Sequence, residues 1–355
     1  MFDDPFYQTH TGEIFKKSLC MQHEHVVGNL FFSLLINLGY TTNDPAKRQW
    51  NRDNKTVIVC LADDFVVCGG NRSNPPESWY NNNTIVITDN HVKFQPQYKI
   101  LQLPTSYFGI FNYTPASQEW NPIRRFNFSV NRLDSQRELI LVELINQTSN
   151  LEEITKQDYI NFNCWDPQGS NTTVDDIKFN FSKYWAQLDQ LDPIYVPLKD
   201  QVVNAIPIKN HNLSVEDAHI SAWLVPVIET YSGNDNIAFS EKIFRALVTP
   251  VPWTVYSATG AVEHLKTLGF DVLDDLIDHG YNNVYQDAPH GLEKIKAYIK
   301  SSIDSYNQLK TGNFEQIKAR CLQAAQHNQQ LLTSLQLQWP TNFANWLPKT
   351  VETII

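Results

Sequence analysis

The sequence predicts an α/β fold in which two domains, each built on a parallel sheet, face a cleft. Short runs of β-branched and apolar residues alternate with segments of helical period, a pattern typical of parallel sheets covered by helices. The pattern begins again at Ile123, after an aromatic and polar stretch. The chain of 355 residues is long enough for two domains with a core in each.

The first domain is expected to contain one helix followed by three strands. Residues 26–38 are densely apolar and end at Gly39, which predicts a largely buried helix closed by a glycine cap. A loop rich in Asn, Asp and Arg follows. Runs of β-branched or apolar residues then predict strands at 55–62, 83–89 and 99–104.

Titratable side chains follow the first two of these strands. Asp63 and Asp64 come directly after the first strand, and Asp89 and His91 come at the end of the second. Open α/β sheets bind ligands beyond the carboxyl ends of their strands. All four residues are therefore candidate general bases, although a loop-capping role explains the aspartates equally well.

The second domain is expected to repeat strands and helices. Its predicted strands are 125–130, 158–163, 227–232 and 251–257. Its predicted helices are 137–145, 239–247, 260–268 and 292–309. The last of these has apolar residues close to a 3.6-residue period, which indicates an amphipathic helix. A longer helix at 314–337 is expected to pack back on the first domain.

The start of the helix at 239–247 has the residue types of an anion site. A helix N-terminus carries roughly +0.5 charge and several unpaired N–H groups, which favour a phosphate. Ser240 is a candidate N-cap because its hydroxyl can accept from first-turn amides. Lys242 adds a cation, and Glu241 can accept from sugar hydroxyls. The alternative is that these residues form ordinary solvated surface.

The charge balance limits the classes of partner. The formal net charge is −10 and the sequence pI is about 5.4. Such a chain is not expected to hold nucleic acid through a large basic surface. A local basic groove stays open as an alternative, because four arginines cluster in one short region: Arg124, Arg125, Arg132 and Arg137.

The composition favours a cytoplasmic protein without a membrane span. Its five cysteines are scattered without C-x-x-C spacing, so neither a zinc site nor a disulfide framework is expected. The N-terminus opens with Asp3 and Asp4 and lacks the features of a signal peptide. Apolar runs also fall short of the roughly 18 residues that a transmembrane helix needs.

Three motifs resemble the nucleotide-sugar half of the α-1,3-fucosyltransferase family. They are Ser129-Val-Asn131 with Arg137, then Ile228-Glu229-Thr230, then Ser240-Glu241-Lys242-Ile243-Phe244. The region around Gly269-Phe-Asp271 and Asp278-His-Gly-Tyr281 is similar to fucosyltransferase-like proteins of tailed phages and large DNA viruses. One departure from the family pattern is Val130, which separates Ser129 from Asn131.

This resemblance implies a donor site. Glu241 would bind the ribose of a nucleotide sugar, while Lys242 and Arg137 would neutralise its diphosphate. The remaining residues expected to contact the donor are Asn131, Glu229, Tyr231 and Ser240. No Asp-x-Asp occurs in the sequence, so neither a metal-held diphosphate nor a cofactor is expected.

The resemblance also implies a GT-B-like glycosyltransferase with two Rossmann-like domains. Residues 1–120 would form the acceptor side and 121–312 the donor side, with 313–355 as the C-terminal helix and tail. The acceptor hydroxyl would belong to a hydroxymethylated DNA base or to a glycan. The alternative, from a different functional class, is a viral binding or structural protein that keeps this fold without turnover.

Overall fold

The computed structural model describes twelve segments of the chain, which divides into two compact units. The described segments are 33–41, 49–60, 83–88, 91–92, 99–102, 119–130, 135–148, 159–162, 219–229, 236–237, 239–284 and 291–354. The first unit comprises Met1–Tyr113, Gly233–Glu241 and Gln330–Ile355. The second unit comprises Thr114–Ser232 and Lys242–Gln329. The domain limits expected from the sequence stay predictions.

The first unit contains a four-stranded sheet. Its strands are β1 (Gln49–Arg52), β2 (Lys55–Cys60), β3 (Thr84–Thr88) and β5 (Lys99–Gln102), in the order β1-β2-β3-β5. The three predicted strands are parallel neighbours, as their β-branched composition indicated. In addition, β4 (His91–Val92) pairs with β9 (Asn236–Ile237) in an antiparallel ladder.

Strand β1 corrects the prediction of a loop before β2. It pairs antiparallel with β2, so the sheet is mixed. The two strands are joined by a two-residue turn in which Asp53 has φ 54°, a left-handed conformation that Asp tolerates better than most residues. Trp50 is buried on this strand, and its apolar surface stabilises a hairpin that the polar composition concealed.

The core of the first unit combines this sheet with segments from both ends of the described chain. Residues 33–37 are helical, and Gly39 ends the helix with φ 80°, which confirms the predicted glycine cap. The hydroxyl of Tyr40 donates to the carbonyl of Ile354 at 2.8 Å. The buried apolar residues of this core are Leu34, Leu35, Tyr40, Trp50, Val57, Ile85, Ile87, Leu347, Val351 and Ile354.

The second unit contains a fully parallel sheet. Its strands are β6 (Arg124–Val130), β7 (Tyr159–Phe162), β8 (Ala222–Ile228) and β10 (Trp253–Tyr256), in the order β10-β8-β6-β7. Strands β6, β7 and β10 match the predicted ranges, so the mixed α/β class with parallel strands is confirmed. The position of β8 corrects the prediction of 227–232: the strand begins at Ala222 and ends at Ile228, so that Glu229 follows it. Counted along the chain, the order is 2-1-3-4, the arrangement of a doubly wound sheet.

Five helices follow β6 in the described segments from residue 135 onward, apart from short helical turns. They are α1 (Ser135–Thr148), α2 (Glu241–Val248), α3 (Ala261–Thr267), α4 (Leu292–Thr311) and α5 (Phe314–Ile354). Helix α4 packs against α1, β8 and β10. Its buried residues include Ile295, Ile299, Ser302, Tyr306 and Leu309, which recur at the predicted helical period. None of the described helices combines the length and apolarity needed to cross a membrane.

Helix α5 is longer than the sequence predicts. Its expected end is residue 337, but it continues to Ile354 and includes Pro340 and Pro348, a residue type that usually ends or kinks a helix. Beyond Pro340, Leu347, Val351 and Ile354 recur at helical spacing in the core of the first unit. Burial of this apolar stripe stabilises the helix beyond Pro340.

An arginine fork attaches the start of α5 to the rest of the second unit. The guanidinium of Arg320 donates two hydrogen bonds to Asp271, at 2.8 and 2.9 Å, and two to Asp275, at 2.8 and 2.7 Å. Burial alone would raise the pKa of Asp271, but the hydrogen bonds and charge of Arg320, with the N–H of Leu273, hold it below its usual value. The geometry is specific for arginine, because lysine cannot present this planar fork.

Candidate functional site

The order of the second sheet indicates where a ligand would bind. From β6 the chain moves first to β7 on one side and then to β8 on the other. In doubly wound sheets the loops diverge at such a switch point, and ligands bind beyond the carboxyl ends of the two strands concerned. Strand β6 ends at Val130 and β8 ends at Ile228. The candidate site therefore lies at the carboxyl edge of β6 and β8.

Glu229 lies at this edge, directly after β8. Its side chain is buried, and its backbone N–H donates to the carbonyl of Tyr256 in β10 at 2.9 Å. Its Oε1 accepts from the backbone N–H of Ile243, the third residue of α2, at 3.3 Å. A carboxylate at a helix N-terminus is electrostatically favourable. Glu229 thus joins the end of β8 to the first turn of α2.

This contact refines the expected role of the first turn. While Glu229 accepts from Ile243, that N–H is not available to a phosphate. The side chain thus does what an N-cap normally does, since N-caps accept from the second or third helical residue. The donor contact expected of Glu229 and the capping role expected of Ser240 stay predictions.

The remainder of α2 is held by apolar packing, which sets the position of its first turn. Ile243 and Phe244 are fully buried, and the rings of Phe244 and Phe270 are 6.2 Å apart. Lys242 and Ser240 are half-buried, while the side chain of Glu241 lies outside the described part of the structure. The predicted helix is confirmed, with its first residue at Glu241.

Arg137 lies in the first turn of α1, the helix that follows β6. Only 4% of its surface is exposed. A guanidinium keeps its charge even when it is buried, and removing it from water is costly unless other groups compensate. The positive charge of Arg137 is therefore fixed in the first turn of α1, the helix that follows β6.

Most of the proposed acceptor-side residues lie outside the described part of the chain. This holds for Asp63, Asp64 and Asp89, and also for the donor-side residues Asn131 and Tyr231. His91 is expected after the second strand, and its backbone belongs to the short strand β4 and pairs with Ile237. Within the described residues, no group of three His, Cys, Asp or Glu side chains is arranged to hold a metal ion.

The segment from Asp278 to Tyr281 supports the edge of β10. The hydroxyl of Tyr281 accepts from the backbone N–H of Val255 at 2.8 Å and is 3.2 Å from Nδ1 of His279. Nε2 of His279 is 2.8 Å from the carbonyl of Val272. The arrangement assigns the proton to Nε2, so that Tyr281 donates to Nδ1. Burial lowers the pKa of His279, in agreement with a neutral ring.

A pocket of about 440 Å³ opens beside this segment. It is lined by α3, the residues around Asp278 and the side chain of Gln308 on α4. Lys266 pairs there with Asp274 at 3.0 Å and with Glu263 at 3.6 Å. These pairs are largely exposed and are expected to contribute little stability.

Sequence reasoning missed two buried polar residues at the carboxyl edge of the sheet. Lys294 is fully buried in the first turn of α4, and Asn282 is buried in the 3₁₀ helix Gly280–Asn283. Both contact the segment that follows β10. Their residue types normally indicate solvent-exposed positions, so the sequence contains no signal for this burial.

No family model, no curated protein and no solved structure matches the chain.

Proposed function

We propose that the protein is a glycosyltransferase that moves a sugar from a nucleotide-sugar donor to an acceptor hydroxyl. One observation carries the proposal. The end of β6, the glutamate after β8 and the first turn of α2 all belong to segments at the switch-point edge of a doubly wound sheet. Nucleotides are a common ligand of such edges.

The chemistry requires stabilisation of the leaving group. Departure of a nucleoside diphosphate builds negative charge on its β-phosphate, and preorganised cations stabilise that charge most in the transition state. Arg137 and Lys242 would supply the cations, and the N-terminus of α2 would add its partial positive charge. Glu241 would accept hydrogen bonds from the ribose.

The acceptor hydroxyl requires a base within about 3 Å. Asp63, Asp64, Asp89 and His91 are the residues we propose for this role, all from the first unit. The proposal includes a two-domain GT-B arrangement, with residues 121–312 as the donor side, and no requirement for a metal. These features rest on the resemblance to the fucosyltransferase-like proteins.

A thermal-unfolding screen with UDP-, GDP- and CDP-sugars tests the donor site. We expect one nucleotide class to raise Tm, because a ligand at 100 times its Kd adds about 2.7 kcal/mol to the free energy of unfolding. Lys242→Ala should abolish the shift without lowering the Tm of the free protein. Lys300→Ala is the matched control, since Lys300 is an exposed lysine of α4 and should leave the shift intact.

The outcomes separate the two functional classes. Absence of stabilisation by every nucleotide sugar would contradict the enzyme proposal. Stabilisation without transfer or hydrolysis of the sugar would favour the alternative, a binding protein that keeps the fold without turnover.

A salt titration distinguishes the two acceptor classes. Binding to DNA that contains hydroxymethylated bases would weaken steeply with added salt, since each neutralised phosphate releases counterions. The net charge of −10 leads us to expect a glycan, whose binding depends little on salt. Acceptor affinities measured at 50 and 200 mM salt distinguish DNA from a glycan. A loss of affinity of about 10³-fold over this range would indicate DNA.

A further inference from the structure

Lys294 is a buried cation whose contacts converge on one segment of the chain. Its Nζ donates to the carbonyl of Ser257 at 2.7 Å and to Oγ1 of Thr259 at 3.0 Å. The same atom lies 5.7 Å from the centroid of the Tyr256 ring. Burying an ammonium group costs several kcal/mol before compensation, and an apolar side chain would fill the space without that cost.

Asn282 holds the same segment through both its side chain and its backbone. Its Nδ2 donates to Oγ of Ser257 and to the carbonyl of Ala258, each at 3.2 Å. Its Oδ1 accepts from the N–H of Val262 at 3.0 Å. Its carbonyl accepts from the N–H of Gly260, again at 3.0 Å.

Together the two residues hold every member of the segment 257–260. Lys294 binds Ser257 and Thr259, and Asn282 binds Ser257, Ala258 and Gly260. The segment ends at Gly260, whose φ of 76° disfavours a larger residue. A loop whose residues are all held by such hydrogen bonds keeps one well-defined conformation. Ligand sites need rigid surroundings of this kind.

The segment lies beside the candidate donor site. It follows β10, and the last residue of β10, Tyr256, accepts from the N–H of Glu229. The backbone at the start of the segment is therefore one strand away from the switch point between β6 and β8. Loops at this edge are the ones that contact ligands in open parallel sheets.

We propose that Lys294 and Asn282 are positioning residues that hold the segment 257–260, so that its partly exposed residues Thr259 and Gly260 form one wall of the donor site. This inference rests on the proposed function. The two side chains act through the segment and do not themselves contact the donor. Their role is to fix the backbone against which the nucleoside diphosphate is bound.

The experiment compares three variants by two measurements. Thr259→Val keeps the side-chain shape but removes one acceptor of Lys294, together with the bond that the Thr259 hydroxyl donates to the carbonyl of Val284 at 3.2 Å. Lys294→Met removes the ammonium. Lys300→Met is the control on the exposed face of the same helix. The measurements are amide hydrogen exchange of residues 257–262 in the free protein and Kd for UDP, GDP and CDP.

We expect exchange of this segment to accelerate about tenfold in Thr259→Val and Lys294→Met, while β6 and β8 keep their protection. The Kd of the preferred nucleotide should rise about tenfold, and Lys300→Met should match the wild type.

Exchange that is unchanged in Thr259→Val would overturn the positioning role. Faster exchange with an unchanged Kd would show that the segment is not a wall of the site. If the wild type binds no nucleotide, the proposed function and the wall are rejected, while hydrogen exchange still decides whether Lys294 positions the segment.

Discussion

Lowering the pH from 7.5 to 4.5 is expected to remove about 2.7 kcal/mol from the free energy of unfolding through His219 alone. His219 is buried just before β8, and its Nδ1 has no hydrogen-bond partner among the described residues. Burial, together with the positive charge of Arg245, lowers the pKa of His219 to about 3. The folded protein thus keeps this ring neutral far below the pH at which an unfolded chain protonates it.

The sign of the effect follows from the two pKa values. Well above pH 6.5 neither state binds the proton, so the contribution of the neutral ring is fully present. Below pH 6.5 the unfolded state gains protons that the folded state does not bind, and stability falls by about 1.4 kcal/mol for each pH unit until about pH 3. His279, whose pKa burial also lowers, contributes in the same direction.

Urea unfolding of the wild type and His219→Gln at a series of pH values measures this contribution. The variant should lose less stability between pH 7.5 and pH 4.5, by about 2.7 kcal/mol. Above about pH 7.5 the two proteins should show the same pH dependence, which serves as the internal control. Parallel curves at lower pH would show that His219 titrates normally in the folded state.

Replacing Asn328 by Leu is expected to destabilise the protein by about 3–5 kcal/mol. The Asn328 side chain is buried on α5 and accepts from the N–H of Asp271 at 2.8 Å. Its Nδ2 donates to the carbonyl of Asp271 at 2.8 Å and to that of Leu247 at 3.0 Å. The carbonyl of Leu247 lies in the last turn of α2, where backbone acceptors have no partner within the helix. Leucine would leave these groups buried and unsatisfied.

Gln326→Leu provides a matched control for this prediction. Gln326 is exposed on the same helix, and its replacement should change stability by no more than about 0.5 kcal/mol. Urea unfolding followed by circular dichroism measures both variants. A loss below about 1 kcal/mol for Asn328→Leu would mean that water or neighbouring groups replace the amide.

Much of the secondary structure was predictable because the spacing of apolar residues along the chain indicates directly whether a segment is helical or extended. The β-branched run of β2 and the helical stripe of α4 were both assigned correctly. The predictions failed where tertiary burial outweighed local signals. Strand β1 is polar by composition but carries the buried Trp50, and α5 passes Pro340 because apolar residues beyond it are buried.

In the candidate site, too, some features were predictable and others were not. The residue types at the start of α2 indicated Lys242, whereas Glu229 and Arg137 were indicated by the resemblance to the fucosyltransferase family. Their contacts could not be predicted. The bond from Ile243 to Glu229 joins residues 14 apart, and the bond from Lys294 to Ser257 joins residues 37 apart.

The sequence by itself determined the α/β class, the parallel strands and the polar residue types that stand at the strand ends. Only the tertiary structure decided the strand order, and with it the switch point between β6 and β8. It also decided that the carboxylate of Glu229 accepts from the first turn of α2 and that Lys294 is buried against the segment 257–260. The physical reason is that periodicity encodes which face of an element is apolar, whereas strand order and buried polar contacts depend on which elements meet.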